Sequence, residues 1–321
     1  MRYKDAGVDL QKAEDVSKIF KILTKQKERF SGIYDFGEFF LAATCDGVGT
    51  KTQVARLAKN YKILGEDIVN HCVNDLLCQG AKPLFFLDYI ASSNLDLKIV
   101  KEIAKGMLKA LKENGNIPLL GGETAEMPDI YNKDEWDIVG FCIGIIKKEN
   151  LLPKKIKIGD ILIGFPSTGL HTNGYSLARK ILLKKYNLEK KFNGKTLKEL
   201  LLKPHRSYFN ILYPLIEKNL IKGLAHITGG GIEGNLKRIM PEGLGFEIDI
   251  REIDKPLIFD IIEKEGNVPR DEMLRVFNMG IGMIAVIDNK DFDTVRNNLI
   301  DEKIKFYIIG EIIKGKRIII S

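Results

Sequence analysis

Apolar residues along this chain fall into two rhythms. The stretches 39–44, 84–91 and 137–146 are short and nearly continuously apolar, bounded by glycine or charge, and they predict strands. The stretches 10–29, 66–79 and 96–114 predict helices, with a short strand at 117–120. The second half opens with a strand at 160–165 and a turn at 166–169. Helices follow at 172–185 and 205–218, then a glycine loop at 228–231 ahead of a helix near Asn235. Strands are expected at 245–250, 283–287, 304–309 and 317–320. The mixture is α/β or α+β throughout. Residues 147–159 carry Pro153 and five lysines just past a strand, which places a boundary between a domain at 1–150 and one at 151–321.

The helix at 66–79 is informative by angle. At about 100° per residue, Ile68, Val69, Cys72, Val73, Leu76 and Leu77 share one side. Asp67, Asn70, His71, Asn74, Asp75 and Cys78 fill most of the other. A solvated face usually carries long charged side chains. This one carries short acids and amides with no lysine or arginine, which suits a metal or a cap.

Composition narrows the class. A chain of 321 residues has room for two cores, and 45% apolar with 29% charged residues describes a globular protein. The net charge of +7 comes from lysines scattered over many segments, which favours solvated faces over a nucleic-acid stripe. Four cysteines show no CxxC pair and no metal-ligand spacing, so a reducing, cytoplasmic compartment is expected. No apolar run is long enough to cross a bilayer, and the N-terminus lacks a signal-peptide stretch.

The candidate chemistry sits in short motifs at element ends. Asp46-Gly47-Val48-Gly49-Thr50-Lys51 follows a strand and offers a carboxylate, two glycines and a lysine. It is not a P-loop, because Thr50 separates Gly49 from Lys51. Asp46, Asp75 and Glu123 are the candidate Mg²⁺ ligands of a nucleoside triphosphate, with Asp67 and Asn74 on the same helix face as weaker ones. Asp46 alone reads as a turn acid; three carboxylates at element ends tip it towards function. Gly121-Gly122-Glu123-Thr124 reads as a tight turn after a strand. Ser167, Thr168, Gly169, Thr172, Asn173 and Gly174 lead into a helix and form a candidate anion site, Thr172 or Asn173 being an ordinary N-cap otherwise. Thr228, Gly229, Gly230 and Gly231 form a second such loop, whose glycines are best explained by close approach of a ligand. His171 and His226 are acid/base candidates by residue type. Asp88, in an otherwise apolar strand, either caps the strand end or faces the site.

These motifs resemble one family. YKDAGVD from Tyr3, DGVGTK from Asp46, CVNDLLCQGAKPLFFLDY from Cys72, GGETAEMP from Gly121, GFCIG from Gly140, HTNGYSLARKI from His171, HITGGG from His226 and FNMGIGM from Phe277 resemble phosphoribosylformylglycinamidine cyclo-ligase, in order and over nearly the whole chain. The resemblance implies the two-domain ATP-binding fold of the aminoimidazole ribonucleotide synthetase type. The N-terminal domain then pairs into a dimeric β-barrel-like interface and the C-terminal domain is α/β. It implies ATP-dependent closure of formylglycinamidine ribonucleotide to the imidazole, with Mg²⁺, room for a monovalent cation such as K⁺, and a homodimer. Membrane and nucleic acid are not expected partners. Carried over, Asp46, Asp75 and Glu123 handle Mg²⁺ and triphosphate. Lys4, Gly47, Gly49, Thr50, Lys51, Gly121 and Gly122 take ATP and its phosphates. The loops 167–174 and 228–231 take the ribose phosphate or a triphosphate oxygen, and Asp88, His171 and His226 lie nearest the chemistry. The chain departs from the family pattern at His71, where other members carry an apolar residue. It departs again in a shortened segment at 30–37 and at 232–234.

Relatives on the same scaffold fit less well. Selenophosphate synthetase needs a reactive cysteine near the N-terminus, and the first here is Cys45. The hydrogenase-maturation relative needs one at the C-terminus, where this chain ends in Ile320-Ser321. Thiamine-monophosphate kinase lacks the GGETAEMP and FFLDY runs. A basic nucleic-acid-binding protein would need a contiguous positive surface.

Overall fold

The apolar runs of the first half assemble into one sheet. The computed structural model describes residues 1–25, 29–315 and 318–320. In chain order the first half runs α1 (Leu10–Thr24), β1 (Gly32–Phe36), β2 (Phe39–Gly47), α2 (Lys51–Ala58), α3 (Lys62–Leu77), β3 (Lys82–Ser92), α4 (Leu97–Glu113), β4 (Leu119–Glu126) and β5 (Trp136–Lys147). The second half runs β6 (Ile161–Pro166), α5 (Tyr175–Leu182), β7 (Lys191–Phe192), β8 (Lys195–Thr196), α6 (Leu197–Leu201), α7 (Phe209–Glu217), β9 (Gly223–His226) and α8 (Gly231–Leu236). It continues with β10 (Leu244–Ile248), α9 (Ile258–Gly266), α10 (Arg270–Val276), β11 (Ile281–Ile287), α11 (Phe292–Asp301), β12 (Tyr307–Lys314) and β13 (Ile318–Ile320). The expected helix at 10–29 is observed to Thr24, and 26–28 lie outside the described residues, as does 317 of the expected last strand.

The first sheet has the order β1-β2-β5-β3-β4, antiparallel except for the parallel β3–β4 pair. Alternation in β5 gives it two unlike faces. Trp136, Ile138, Cys142 and Ile146 are buried, whereas Phe141 between them is 38% exposed. The buried face carries α3, which packs in turn on α4. Those helices touch backbone to backbone at Gly65 and Gly106, where an added Cβ would lie 2.1 Å from Ile103 O and 1.9 Å from Lys62 O. Asp96 starts α4 by accepting from the Lys98 and Ile99 amides, and Ile103, Met107, Ala110 and Leu111 form its inward stripe.

The second sheet has the order β13-β10-β12-β6-β11-β9. Every residue of β11 is buried, as expected of a strand covered on both faces. Helix α3 lies between the two halves: one side faces the first sheet and the other meets α7 and β9.

Two sequence expectations are corrected here. The Gly121-Gly122-Glu123 run is not a turn but the middle of β4, with Gly122 opposite Asp88 and Glu123 opposite Tyr89. Glycine pairs allow a turn without requiring one, and strand pairing decides. The helix expected at 205–218 begins only at Phe209, because residues 203–208 are extended along α3.

Candidate functional site

The polar face of α3 is not solvated; it divides into two working surfaces. Asp67, Asn70 and Asn74 bond the main chain of 203–208. Asp67 Oδ1 accepts from the His205 amide at 2.7 Å, and Asn70 Nδ2 donates to His205 O at 2.7 Å. Asn74 Nδ2 donates to Arg206 O at 2.8 Å, and Asn74 Oδ1 accepts from the Tyr208 amide at 3.0 Å. Lys51, at the start of α2, joins them. Its ammonium lies 2.6 Å from Asp67 Oδ2, with both side chains fully buried, and donates to Lys203 O at 2.7 Å. Burial pulls the Lys51 ammonium down and pushes the Asp67 carboxyl up, and their mutual attraction opposes both shifts. Lys51, Asp67 and Asn74 thus use their polar atoms to hold the two halves together.

His71 and Asp75, on the same helix, take part in the second surface. Asp46 lies near the end of β2, opposite Gly140 of β5, and Gly140 is opposite Asp88 of β3. Cross-strand neighbours share a face, so Asp46, Gly140, Asp88 and Gly122 form a row on the side facing α3. Asp46 Oδ2 is 3.2 Å from His71 Nε2. His71 Nδ1 meets Thr172 Oγ1 at 2.9 Å, and the same hydroxyl is 3.4 Å from His205 Nδ1. His205 Nε2 meets His226 Nε2 at 2.9 Å, and His226 Nδ1 meets Asp75 Oδ1 at 2.7 Å. The Asp75 carboxyl in turn lies against that of Asp46. The result is a buried ring of polar contacts built from both halves. His171 stacks on His205 with centroids 4.2 Å apart, so all four histidines of the chain meet at this point.

Burial sets the charge here. It pushes His226 down to about 3 and His171 and His205 well below the ordinary imidazole value, so these rings are neutral. It pushes Asp75 well above the usual carboxylate range, with the Asp46 carboxyl adding to the rise and His71 opposing it. The half-buried Asp88 carboxyl is raised by burial as well. His171 holds a left-handed backbone at φ 58°, a strained conformation for this residue type. Its Nε2 accepts the Thr168 amide, which leaves the ring proton on Nδ1, buried with no acceptor. Asn173 Nδ2 is a second buried donor without a partner.

The other expected residues fall around this ring. The loop after Asp46 meets the start of α5, with Thr50 Oγ1 3.2 Å from Ser176 Oγ. Ser167 Oγ donates to Asn278 Oδ1 at 2.9 Å, Asn278 Nδ2 donates to Gly169 O at 2.9 Å, and Thr168 Oγ1 donates to Pro204 O. The N-cap of α5 is Gly174, so neither Thr172 nor Asn173 caps it. A Cβ on Gly229 would lie 3.4 Å from Asn173 Oδ1, so the two glycine loops are neighbours. A Cβ on Gly231 would lie 1.8 Å from Leu274 O, so packing on α10 by itself requires glycine there. Thr228 Oγ1 donates to Asn235 Oδ1. Gly121, Gly122 and Glu123 lie in β4, and Glu123 points to the face away from α3. Lys4 is exposed and paired with Asp9 at 3.1 Å, although Tyr3 beside it reaches the Gly174 backbone.

Sequence reasoning missed His205, Asn278 and the contribution of His71. The available signal was that the chain has four histidines in all, two of them already in loop motifs.

Comparisons with known proteins cover the whole chain. The family model described as AIR synthase related protein, N-terminal domain, matches residues 31–146, and the C-terminal domain model matches 157–321. A phosphoribosylformylglycinamidine cyclo-ligase of Carboxydothermus hydrogenoformans is 43% identical over 339 aligned positions, covering 100% of this chain and 98% of that one. The protein of the same name from Alkaliphilus metalliredigens is 40% identical, covering 99% and 96%. Among solved structures, a HypE-HypF complex matches with a TM-score of 0.68 at 21% identity, covering 95% of each chain. AaThiL complexed with AMPPCP and TMP matches with a TM-score of 0.67 at 13% identity, covering 95% and 92%. At those identities the structures show a shared fold.

Proposed function

We propose how the residues divide the work in a chain that belongs to the phosphoribosylformylglycinamidine cyclo-ligase family. The chain is an ATP-dependent cyclo-ligase. It closes formylglycinamidine ribonucleotide to 5-aminoimidazole ribonucleotide with release of ADP and phosphate, a step of purine biosynthesis. The observation that carries the proposed site is the ring in which Asp46 and Asp75 of the first half meet His226 and Thr172 of the second. Closing the ring requires the formyl oxygen to become a leaving group. ATP supplies this by passing its γ-phosphoryl to that oxygen; the amidine nitrogen then attacks the same carbon, and phosphate leaves.

Asp46 and Asp75 present two adjacent carboxyls, which suits Mg²⁺. Mg²⁺ there would neutralise triphosphate charge, and the resemblance leaves room for a monovalent cation such as K⁺ beside it. The buried donors His171 Nδ1 and Asn173 Nδ2 have no acceptor of their own, which supports anion binding by the loops 167–174 and 228–231. In this reading the first half, 1–150, holds ATP and the second, 151–321, holds the ribose phosphate. His226, held by Asp75, and Asp88, in the carboxylate row, lie nearest the reacting atoms in this reading.

A homodimer is supported by the uncovered face of the first sheet. Tyr34, Phe36, Phe39 and Phe141 lie on it, 68%, 63%, 39% and 38% exposed. Helix α1 also leaves Phe20, Ile22 and Leu23 more than 60% exposed. A second copy would cover this surface and bring Glu123, on the same open face, into an interface. A cytoplasmic location fits the four free cysteines, and among the described residues no helix is long and apolar enough to cross a membrane. The test is ADP release with formylglycinamidine ribonucleotide present or absent. Turnover should require it, and turnover driven by thiamine monophosphate instead would reject the reading.

A further inference from the structure

We propose that His71 and His226 join Asp46 and Asp75 in one mixed nitrogen and oxygen site that takes a first-row transition-metal dication, Mn²⁺, Co²⁺ or Zn²⁺, in preference to Mg²⁺. The proposal rests on the reading above that the two carboxylates hold a dication, and it changes the chemistry of their site. Donor atoms of His71, Asp75 and His226 all lie within 4.8 Å of one another, and all three residues are buried. Asp46 Oδ2 is 3.2 Å from His71 Nε2, and Asp75 Oδ1 is 2.7 Å from His226 Nδ1. Ligands about 2.0–2.2 Å from one ion stand roughly 3 Å apart, the spacing the Asp46–His71 and Asp75–His226 pairs already have, and Asp46, outside the 4.8 Å trio, would move in to complete the set. The rings of His71 and His226 are nearly perpendicular, at 86°, so their in-plane lone pairs can converge without the rings colliding.

The far nitrogen of each ring is held as well. His71 Nδ1 meets Thr172 Oγ1 and His226 Nε2 meets His205 Nε2, both partners coming from the second half. Metal-ligating imidazoles are oriented in this way. Two carboxylates, deprotonated when a metal takes the place of their protons, match a dication in charge. The Asp46 side chain is one-third exposed and leaves an open side for water or a phosphate oxygen. An all-oxygen site suits Mg²⁺, whereas imidazole nitrogens favour later metals along the Irving–Williams series.

A second trio, His171, His205 and His226, also meets within 4.8 Å, but its geometry is unsuited to a metal. His171 and His205 stack at 23°, so their lone pairs run side by side, and His171 Nε2 already accepts the Thr168 amide.

The test titrates the metal-stripped full-length protein with Co²⁺ without nucleotide, reading the visible d–d bands, and then competes with Mg²⁺ and Zn²⁺. Saturable bands are expected, displaced by Zn²⁺ at far lower concentration than by Mg²⁺. His71→Leu and His71→Gln should each weaken Co²⁺ binding at least about tenfold, the scale on which even outer-sphere partners act, and His171→Gln should not. Unchanged affinity in both His71 variants, loss in His171→Gln, or Mg²⁺ competing as well as Zn²⁺ would each overturn the proposal. Should neither His71 variant fold by circular dichroism, pulsed EPR of Mn²⁺ on the unmodified protein decides, and absence of ¹⁴N couplings overturns it. Asp46→Asn keeps the two readings separate. Lost turnover without a nitrogen-bound metal rejects only this inference, whereas normal turnover rejects the carboxylate site itself.

Discussion

Replacing Lys51 by methionine separates a structural lysine from a phosphate-binding one. The ammonium and the Asp67 carboxylate are both fully buried, 2.6 Å apart, so no discount for solvent screening applies. Methionine keeps much of the side-chain volume but leaves Asp67 without its counter-charge and Lys203 O without a donor. Removing one partner of a buried pair typically costs about 3–5 kcal/mol. Unfolding entropy of about 2.1 cal/mol/K per residue over 321 residues is about 0.7 kcal/mol/K, so the melting temperature should fall by about 4–7 °C. A Lys51→Met/Asp67→Asn double variant should lose less than the sum of the single changes, because Asn can still accept from the His205 amide. Calorimetry gives the shift, and the KM for ATP measured below the transition gives the second axis. A variant that melts within a degree of the parent while its KM for ATP rises many-fold would refute this reasoning and return Lys51 to the phosphates.

Light scattering at micromolar concentration should give twice the monomer mass of 36.2 kDa, and Phe36→Asp with Phe141→Asp on the open sheet face should shift it to the monomer. Gly231→Ala should destabilise the fold by several kcal/mol or yield insoluble protein, because its Cβ would meet Leu274 O at 1.8 Å and its φ is +64°; wild-type stability would show that α8 and α10 can separate cheaply. Acid should weaken the fold through His171. Its folded pKa lies well below 6.5 and the unfolded chain takes up a proton near that value, so this stability is present above about pH 6.5 and lost below it. The difference in urea midpoint between about pH 7.5 and about pH 5.5 should therefore shrink in His171→Asn, and an unchanged difference would remove His171 as a cause.

Local chemistry made part of this structure legible. Apolar runs located β2, β3 and β5, and spacing located α3 and α4, because those signals need only neighbours in the chain. The glycine pair at 121–122 was misread because its strand character comes from pairing with β3, more than thirty positions away. The short polar face of α3 was correctly seen as unlike a surface, yet half of it serves 203–208, a contact that periodicity cannot reveal. His71 and His205 are unremarkable in their own segments and acquire meaning only where the two halves meet. Asp46, Asp75, Thr172 and His226 could be named because each sits in a distinctive motif, but the ring they form could not.

The bonds between α3 and residues 203–208 also bear on how the two halves stay joined. Five hydrogen bonds join Lys51, Asp67, Asn70 and Asn74 to the backbone there. Swinging the halves apart at this edge would exchange those bonds for bonds to water, at a net cost of about 0.5–1.5 kcal/mol each. Residues 1–6 are also tied to the second half, Met1 N donating to Gly266 O and Asn267 O, Tyr3 N to Glu272 and Lys180 to Asp5 O, while Lys4 pairs with Asp9. Residues 203–208 and the N-terminal segment therefore bind the first half to the second at two separate places in the sequence.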